Sequence, residues 1–264
     1  MNSPESLLLV DTAASAMETV STDHLLDRDL REMPVTGPFD ASEQRARAVA
    51  AKLSLPHMGF VHSRSRLRAR LEPVRNGGVV YVVAGPGYGK TAFIVDLLSS
   101  AAGRTVYFSL DEGDRDPVRF LSYFMAGLGM EPPDVVGASS LEWQVPGAGE
   151  GPVLDLTAGL IDFMSGLSGE QVFVAVDDFH LVDSSPQVVT ALEFIIRGMP
   201  PGWTMIVSSR RPLPLRLDRV SLGGRLVELQ ARHLRLTPGE VAAWAQYNWE
   251  VKLHAEETRA LWRV

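Results

Sequence analysis

One octapeptide constrains this chain more than any other feature. Ala84-Gly85-Pro86-Gly87-Tyr88-Gly89-Lys90-Thr91 follows the apolar run 78–83 and leads straight into the helical spacing Phe93, Ile94, Leu97, Leu98. Small residues in such a loop let successive backbone N–H groups turn inward around an anion, and the N-terminus of the following helix adds its partial positive charge. A lysine and a hydroxyl at the last two positions complete a phosphate-binding P-loop: Lys90 as a mobile point charge for the β- and γ-phosphates, Thr91 as an oxygen ligand for Mg²⁺. Alanine stands at Ala84, where the strict pattern starts with glycine, and the extended end of a strand tolerates its Cβ. The expected binding set is Ala84, Gly85, Pro86, Gly87, Tyr88, Gly89, Lys90, Thr91 and Ala92, with ATP or ADP and Mg²⁺ as ligands.

Around the loop, short apolar runs alternate with helical patterns. Strands are predicted over 79–83, 105–110, 171–176, 203–208 and 226–229, and helices over 65–74, 90–100, 117–128, 153–167 and 186–196. The runs are apolar almost throughout instead of alternating, as a parallel strand covered on both faces requires. Asp116 before Pro117 reads as an N-cap, and Thr237-Pro238-Gly239-Glu240 as a capping box. Helices between strands imply right-handed crossovers. The predicted fold is therefore an α/β P-loop NTPase: a doubly wound, mainly parallel five-stranded sheet with helices on both faces.

Composition narrows the function classes. The net charge of −7 lies wholly in residues 1–44, where nine acids face two bases; the remaining 220 residues carry 23 of each. That neutral body lacks the basic stripe that phosphate-backbone binding needs, so no direct nucleic-acid contact is expected. Zero cysteines in 264 residues exclude disulfides, thiolate metal sites and cysteine nucleophiles, and agree with a reducing, cytoplasmic setting. The longest internal apolar run, 79–84, is far too short to span a bilayer, so no membrane is expected. The division read along the chain is an acidic N-terminal arm over 1–44, a nucleotide-binding domain over 45–236 and the start of a helical lid over 237–264. Residues 129–151, rich in proline and glycine, read as a long surface excursion.

The strand ending at Val176 delivers Asp177-Asp178 to the C-terminal edge of the sheet, where α/β ligands bind. Asp177 is expected to hold the Mg²⁺ shell through water, and Asp178 to orient or deprotonate the attacking water. The next strand ends in Ser208-Ser209-Arg210-Arg211, and Arg210 is expected to contact the γ-phosphate. The candidate catalytic set is Lys90, Asp178 and Arg210, with Thr91 and Asp177 for the metal. His180 reads as a hydrogen-bonded structural histidine. The six histidines show no metal-ligand spacing. These residues alone leave three classes open: a regulatory ATPase, a phosphotransferase on a small acceptor, and a scaffold that holds nucleotide without hydrolysis.

Several stretches together resemble the MalT-like signal-transduction ATPases, the large ATP-binding LuxR-type regulators. They are Arg64-Ser65-Arg66-Leu67, the loop AGPGYGKT, the segment Tyr107 to Phe120, which contains SLDEGDRDPVRF at 109–120, Asp177-Asp178-Phe179-His180, Ser208-Ser209-Arg210 with its Pro-Leu-Pro-Leu continuation, and Leu234-Arg235-Leu236-Thr237-Pro238-Gly239-Glu240. The resemblance covers about residues 60–264, and the 109–120 stretch is its discriminating part. It implies a slow ATPase that works as a nucleotide-dependent switch, silent with ADP and self-associating with ATP. It also implies that the lead-in 60–64, including Arg64, lies near the adenine, that Arg210 is the arginine near the γ-phosphate, and that alanine is common at the place of Ala84. The family's DNA-binding part has no counterpart in this sequence, which reads as an excised nucleotide-binding module or an unusually short member.

Overall fold

The structure, a computed structural model, describes residues 47, 49–59, 63–130, 151–217 and 223–263. The acidic arm 1–44, most of the excursion 129–151 and most of the lead-in 60–64 lie outside these residues.

In chain order the elements are α1 (Ser65–Ala69), β1 (Gly78–Val83), α2 (Lys90–Ser99), β2 (Arg104–Ser109), α3 (Pro117–Gly127), α4 (Gly151–Gly166), β3 (Val172–Asp177), α5 (Pro186–Gly198), β4 (Trp203–Ser209), β5 (Leu226–Gln230), α6 (Ala231–Leu234), α7 (Pro238–Trp249) and α8 (Ala255–Arg263). The strands form one sheet in the order β2-β3-β4-β1-β5. Every pairing is parallel, so the sheet is wholly rather than mainly parallel. The helix expected over 65–74 is split into α1 and a 3₁₀ turn, Glu72–Val74. Pro73 explains the break: it has no N–H to donate, and its ring collides with the carbonyl four residues back.

Alternate strand residues feed two cores. Val106, Phe108, Val174, Val176, Met205 and Val207 face α3, α4 and α5. Val80, Val82, Tyr107, Ala175 and Ile206 face Phe93, Ile94 and Leu98 of α2 and Leu67 of α1. This two-sided burial is why the strands read as near-continuous apolar runs. Rings of Phe108, Phe120 and Phe124 stand 5.7 and 6.2 Å apart in succession and fix α3 on the sheet; each such pair adds about 0.5–1.5 kcal/mol beyond its buried area.

The stretch 109–120 is a turn built from its own acids. Asp111 accepts from the Gly113 amide at 2.7 Å, and Asp114 accepts from the Asp111 amide at 2.8 Å, a reciprocal capping box. Asp116 caps α3 by accepting from Val118 N at 2.9 Å. Asp114, fully buried, is also paired with Lys52 and, at 3.2 Å, with Arg119. A buried carboxylate is tolerated only with such partners. Among the described residues no helix is long and apolar enough to cross a membrane.

Candidate functional site

The strand order places β1 between β4 and β5, while its crossover through α2 leads to β2 at the far edge. A crevice therefore opens beyond the C-terminal ends of β1, β4 and β3, the place where open α/β sheets bind ligands. The loop 84–89 rims it. Ala84 continues the ladder by donating its amide to Ser209 O at 3.2 Å and is 3% exposed. Within this loop the backbone calls for glycine at two positions. Gly87 has φ +79°; Gly89 has φ +73°, and a Cβ there would stand 2.8 Å from Arg64 Nη2. Gly89 is also the N-cap of α2 and offers no side-chain cap, so the first amides of that helix remain directed at the crevice.

Lys90 is buried and donates through Nζ to the carbonyls of Ala84 at 2.9 Å and Gly85 at 3.0 Å. Burial pushes its ammonium below the ordinary lysine value, while the charges of Asp178 and Asp177 oppose the shift. Thr91 Oγ1 donates to Asp177 Oδ2 at 2.8 Å, joining the end of the loop to the end of β3. Asp177 is 1% exposed and accepts from three further donors: Tyr107 OH at 2.9 Å, the Asp178 amide at 3.1 Å and the Ser208 hydroxyl. The Tyr107 phenol is pushed far above its ordinary value, by burial first and then by Asp177, so it stays a donor.

Asp178 adopts the left-handed conformation, φ 60° and ψ 38°. For a non-glycine residue this costs about 1–2 kcal/mol. The turn sends consecutive carboxylates to different places: Asp177 into the sheet edge, Asp178 into the crevice with a third of its side chain exposed. His180 differs from expectation. Its Nδ1 is buried with no hydrogen-bond partner among the described residues, and Asp178 Oδ1 lies 3.6 Å away, beyond hydrogen-bond length. Burial holds its pKa below the usual histidine value, so the ring is neutral near pH 7. The two arginines after β4 behave differently. Arg211 donates to His180 O and Asp183 Oδ1, both at 2.9 Å. Arg210 is exposed, makes no hydrogen bond or ion pair among the described residues, and is close enough to depress the pKa values of both Lys90 and His180.

On the other side of the loop, a cavity of about 850 Å³ lies between Pro86–Gly89 and the α6–α8 region, with Arg64, Met58, Ala92, Trp244 and Trp262 in its wall. Arg64, whose pKa burial lowers, donates to Leu234 O at 2.8 Å. Arg66 reaches Glu240 with two bonds of 2.9 Å and donates to the carbonyls of His233 and Arg235. Trp262 Nε1 donates to Leu236 O at 2.6 Å, and the Arg235 guanidinium lies 4.5 Å over the Trp262 ring, which closes α8 onto the same wall.

Of the residues singled out from sequence, Lys90, Thr91, Asp177, Asp178 and Arg210 lie on the crevice, and Arg64 and the loop 86–89 face the cavity. Sequence reasoning gave no site role to Tyr107 and Ser208, which look like ordinary strand residues, nor to Trp244 and Trp262. The Thr91 hydroxyl and the Asp177 carboxylate are hard oxygen donors side by side, which suits Mg²⁺. No group of three or more His, Asp or Glu that could hold a metal occurs among the described residues.

No family model matches the chain. It is 28% identical over 216 residues to the HTH-type transcriptional regulator MalT of Klebsiella pneumoniae subsp. pneumoniae, covering 81% of this chain and 23% of that protein. It is 28% identical over 197 residues to MalT of Cronobacter sakazakii, covering 73% and 21%. The chain thus spans less than a quarter of these relatives. Among solved structures it is similar to a signal transduction ATPase with numerous domains and a tetratricopeptide repeat sensor from Pyrococcus horikoshii (TM-score 0.48, 17% identity, 80% of this chain and 28% of that one). It is also similar to the Aeropyrum pernix ORC1 protein in complex with DNA (TM-score 0.48, 19% identity, 77% and 53%). With a P-loop on a five-stranded parallel sheet and a likeness to MalT that runs along four-fifths of its length, the chain is a P-loop domain similar to the matching part of MalT.

Proposed function

We propose that this chain binds ATP and ADP with Mg²⁺ and acts as the nucleotide-dependent switch of a cytoplasmic transcription regulator, hydrolysing ATP slowly. The single observation that carries the reading is the 2.8 Å bond from Thr91 to Asp177. It joins the last residue of the loop to the acid of β3 at the mouth of the crevice, with Lys90 beside both. Residues 45–236 then form the nucleotide-binding unit, and 237–264 the lid side of the cavity.

In this reading the loop amides from Gly85 to Thr91 surround the β-phosphate. Lys90 exchanges its bonds to the Ala84 and Gly85 carbonyls for the β- and γ-phosphates. Thr91 and, through water, Asp177 would hold Mg²⁺, which would supply positive charge beside the phosphates. Asp178 orients a water for in-line attack at the γ-phosphorus; the bond to the β,γ-bridging oxygen breaks, leaving ADP and phosphate. Arg210, unengaged by the described residues, supplies a guanidinium to the γ-phosphate. Arg64, Trp244 and Trp262 form the wall beside the base and ribose. A switch must dwell in each nucleotide state, so slow turnover belongs to the role, and self-association is assigned to the ATP state.

The test is native mass spectrometry of the purified chain, followed by calorimetry with ADP. The wild type carries ADP or takes it up with Mg²⁺, and Lys90→Ala loses binding by at least tenfold. Undiminished affinity in Lys90→Ala overturns the site assignment.

A further inference from the structure

We propose that Tyr107 is a positioning residue that couples Mg²⁺ to nucleotide binding by holding the Asp177 carboxylate. The proposal rests on the nucleotide site argued above and adds to it a residue outside the loop and the acidic pair.

The sheet register places the phenol. Tyr107 on β2 is paired with Ala175 on β3, and Asp177 lies two residues further along the same strand. Two residues of a parallel strand rise about 6.6 Å, roughly the length of a tyrosine side chain. Tyr107, Ala175 and Asp177 share one sheet face, the face toward α2, and Ala175 is small enough to let the ring lie along it. The phenol therefore ends beside the carboxylate, donating to Oδ2 at 2.9 Å. From the opposite neighbour, β4, the Ser208 hydroxyl donates to Oδ1. Asp177 is thus gripped from both flanking strands, from Thr91 in front and from the Asp178 amide behind.

Four donors converge on this one carboxylate, two on each oxygen. Such a group is held in one rotamer, with Oδ2 aimed at the Thr91 hydroxyl. That aim matters for a metal that demands near-ideal octahedral geometry and takes few protein ligands. Orienting partners behind a ligand typically change metal affinity by tenfold or more when removed. Tyr107 does not line the cavity, and its hydroxyl donates to Asp177 and not to the phosphate cup.

The experiment measures ADP affinity of the full 264-residue chain by calorimetry, once with Mg²⁺ and once with EDTA, for wild type, Tyr107→Phe and Ser208→Ala. The expected result is a Kd in EDTA within about twofold of wild type for both variants. The gain from Mg²⁺ falls by about tenfold in Tyr107→Phe, and falls in Ser208→Ala as well. A gain equal to wild type in both variants overturns the positioning role, as does parallel weakening with and without the metal, which marks a merely structural side chain. Wild-type protein that binds no ADP overturns the nucleotide reading and this proposal with it; wild-type protein that binds ADP with a Mg²⁺ gain unaltered by Tyr107→Phe overturns the proposal alone.

Discussion

The Arg66 fork is the interaction on which α7 depends most. Arg66 makes two 2.9 Å bonds to Glu240 and donates to the carbonyls of His233 and Arg235, so one side chain spans both ends of the α6–α7 connection. Glu240 is 8% exposed and serves a second purpose: its Oε2 accepts from the Thr237 amide at 2.7 Å, closing the capping box of α7. Charge-assisted hydrogen bonds contribute about 1.5–3 kcal/mol each when well shielded. A third of the Arg66 side chain is exposed, which calls for discounting toward the lower end. Arg66→Ala is then expected to cost about 3 kcal/mol, and Glu240→Ala about 2–3 because it also removes the cap. A double-mutant cycle should return a coupling of roughly 1.5–2 kcal/mol, as expected of contacting residues. Because α7 lies beyond the sheet, the loss should appear first as faster hydrogen exchange in its amides and only later in global urea unfolding. The pH dependence has a definite sign. Burial alone would raise the Glu240 carboxyl, but the bonds from Arg66 and Thr237 outweigh it and hold it below its ordinary value of 4.5. Its contribution is therefore complete above pH 4.5 and is lost as the pH falls through the lower folded-state value. Exchange in α7 unchanged to within 0.5 kcal/mol in Arg66→Ala, on the scale of substitutions that touch nothing of consequence, would refute the reasoning.

Two further substitutions probe the loop and the acid turn. Asp178→Asn should keep ADP affinity and lose ATP hydrolysis in a phosphate-release assay, whereas Asp178→Gly should lose hydrolysis and gain roughly 0.5–1 kcal/mol in urea unfolding by relieving the left-handed backbone; a destabilised glycine variant counts against strain at this position. Gly89→Ala meets both a φ of +73° and a guanidinium nitrogen 2.8 Å from the new Cβ. It should cost about 1–2 kcal/mol and weaken ADP binding in calorimetry, with wild-type affinity as the result that contradicts the loop geometry.

Much of the architecture was legible because parallel strands covered on both faces leave an unbroken apolar signature, and all five runs became strands with ends shifted by one residue or so. Caps at Asp116 and Thr237 were legible for the same local reason: a short polar side chain beside proline has few other uses. The helix 65–74 was misread because periodicity ignores the missing N–H of Pro73. At the candidate site, loop and acids are legible because a run of small residues ending in Lys-Thr after a strand, and paired acids at a strand end, form a pattern of fixed order and spacing. Tyr107 was not, since its role depends on which strand lies beside β2, and strand order is not written in local pattern. That His180 Nδ1 has no hydrogen-bond partner among the described residues was hidden likewise: what faces a side chain across the crevice depends on the turn taken at Asp178.

Arg64 has a consequence of a different kind. Its guanidinium rests against Gly89 while donating to Leu234 O, so the phosphate loop and the approach to α7 share a single lever. If a ligand at the loop displaces that group and thereby alters the affinity of a partner at α7, that partner must alter the affinity at the loop by the same factor, because thermodynamic linkage has no preferred direction.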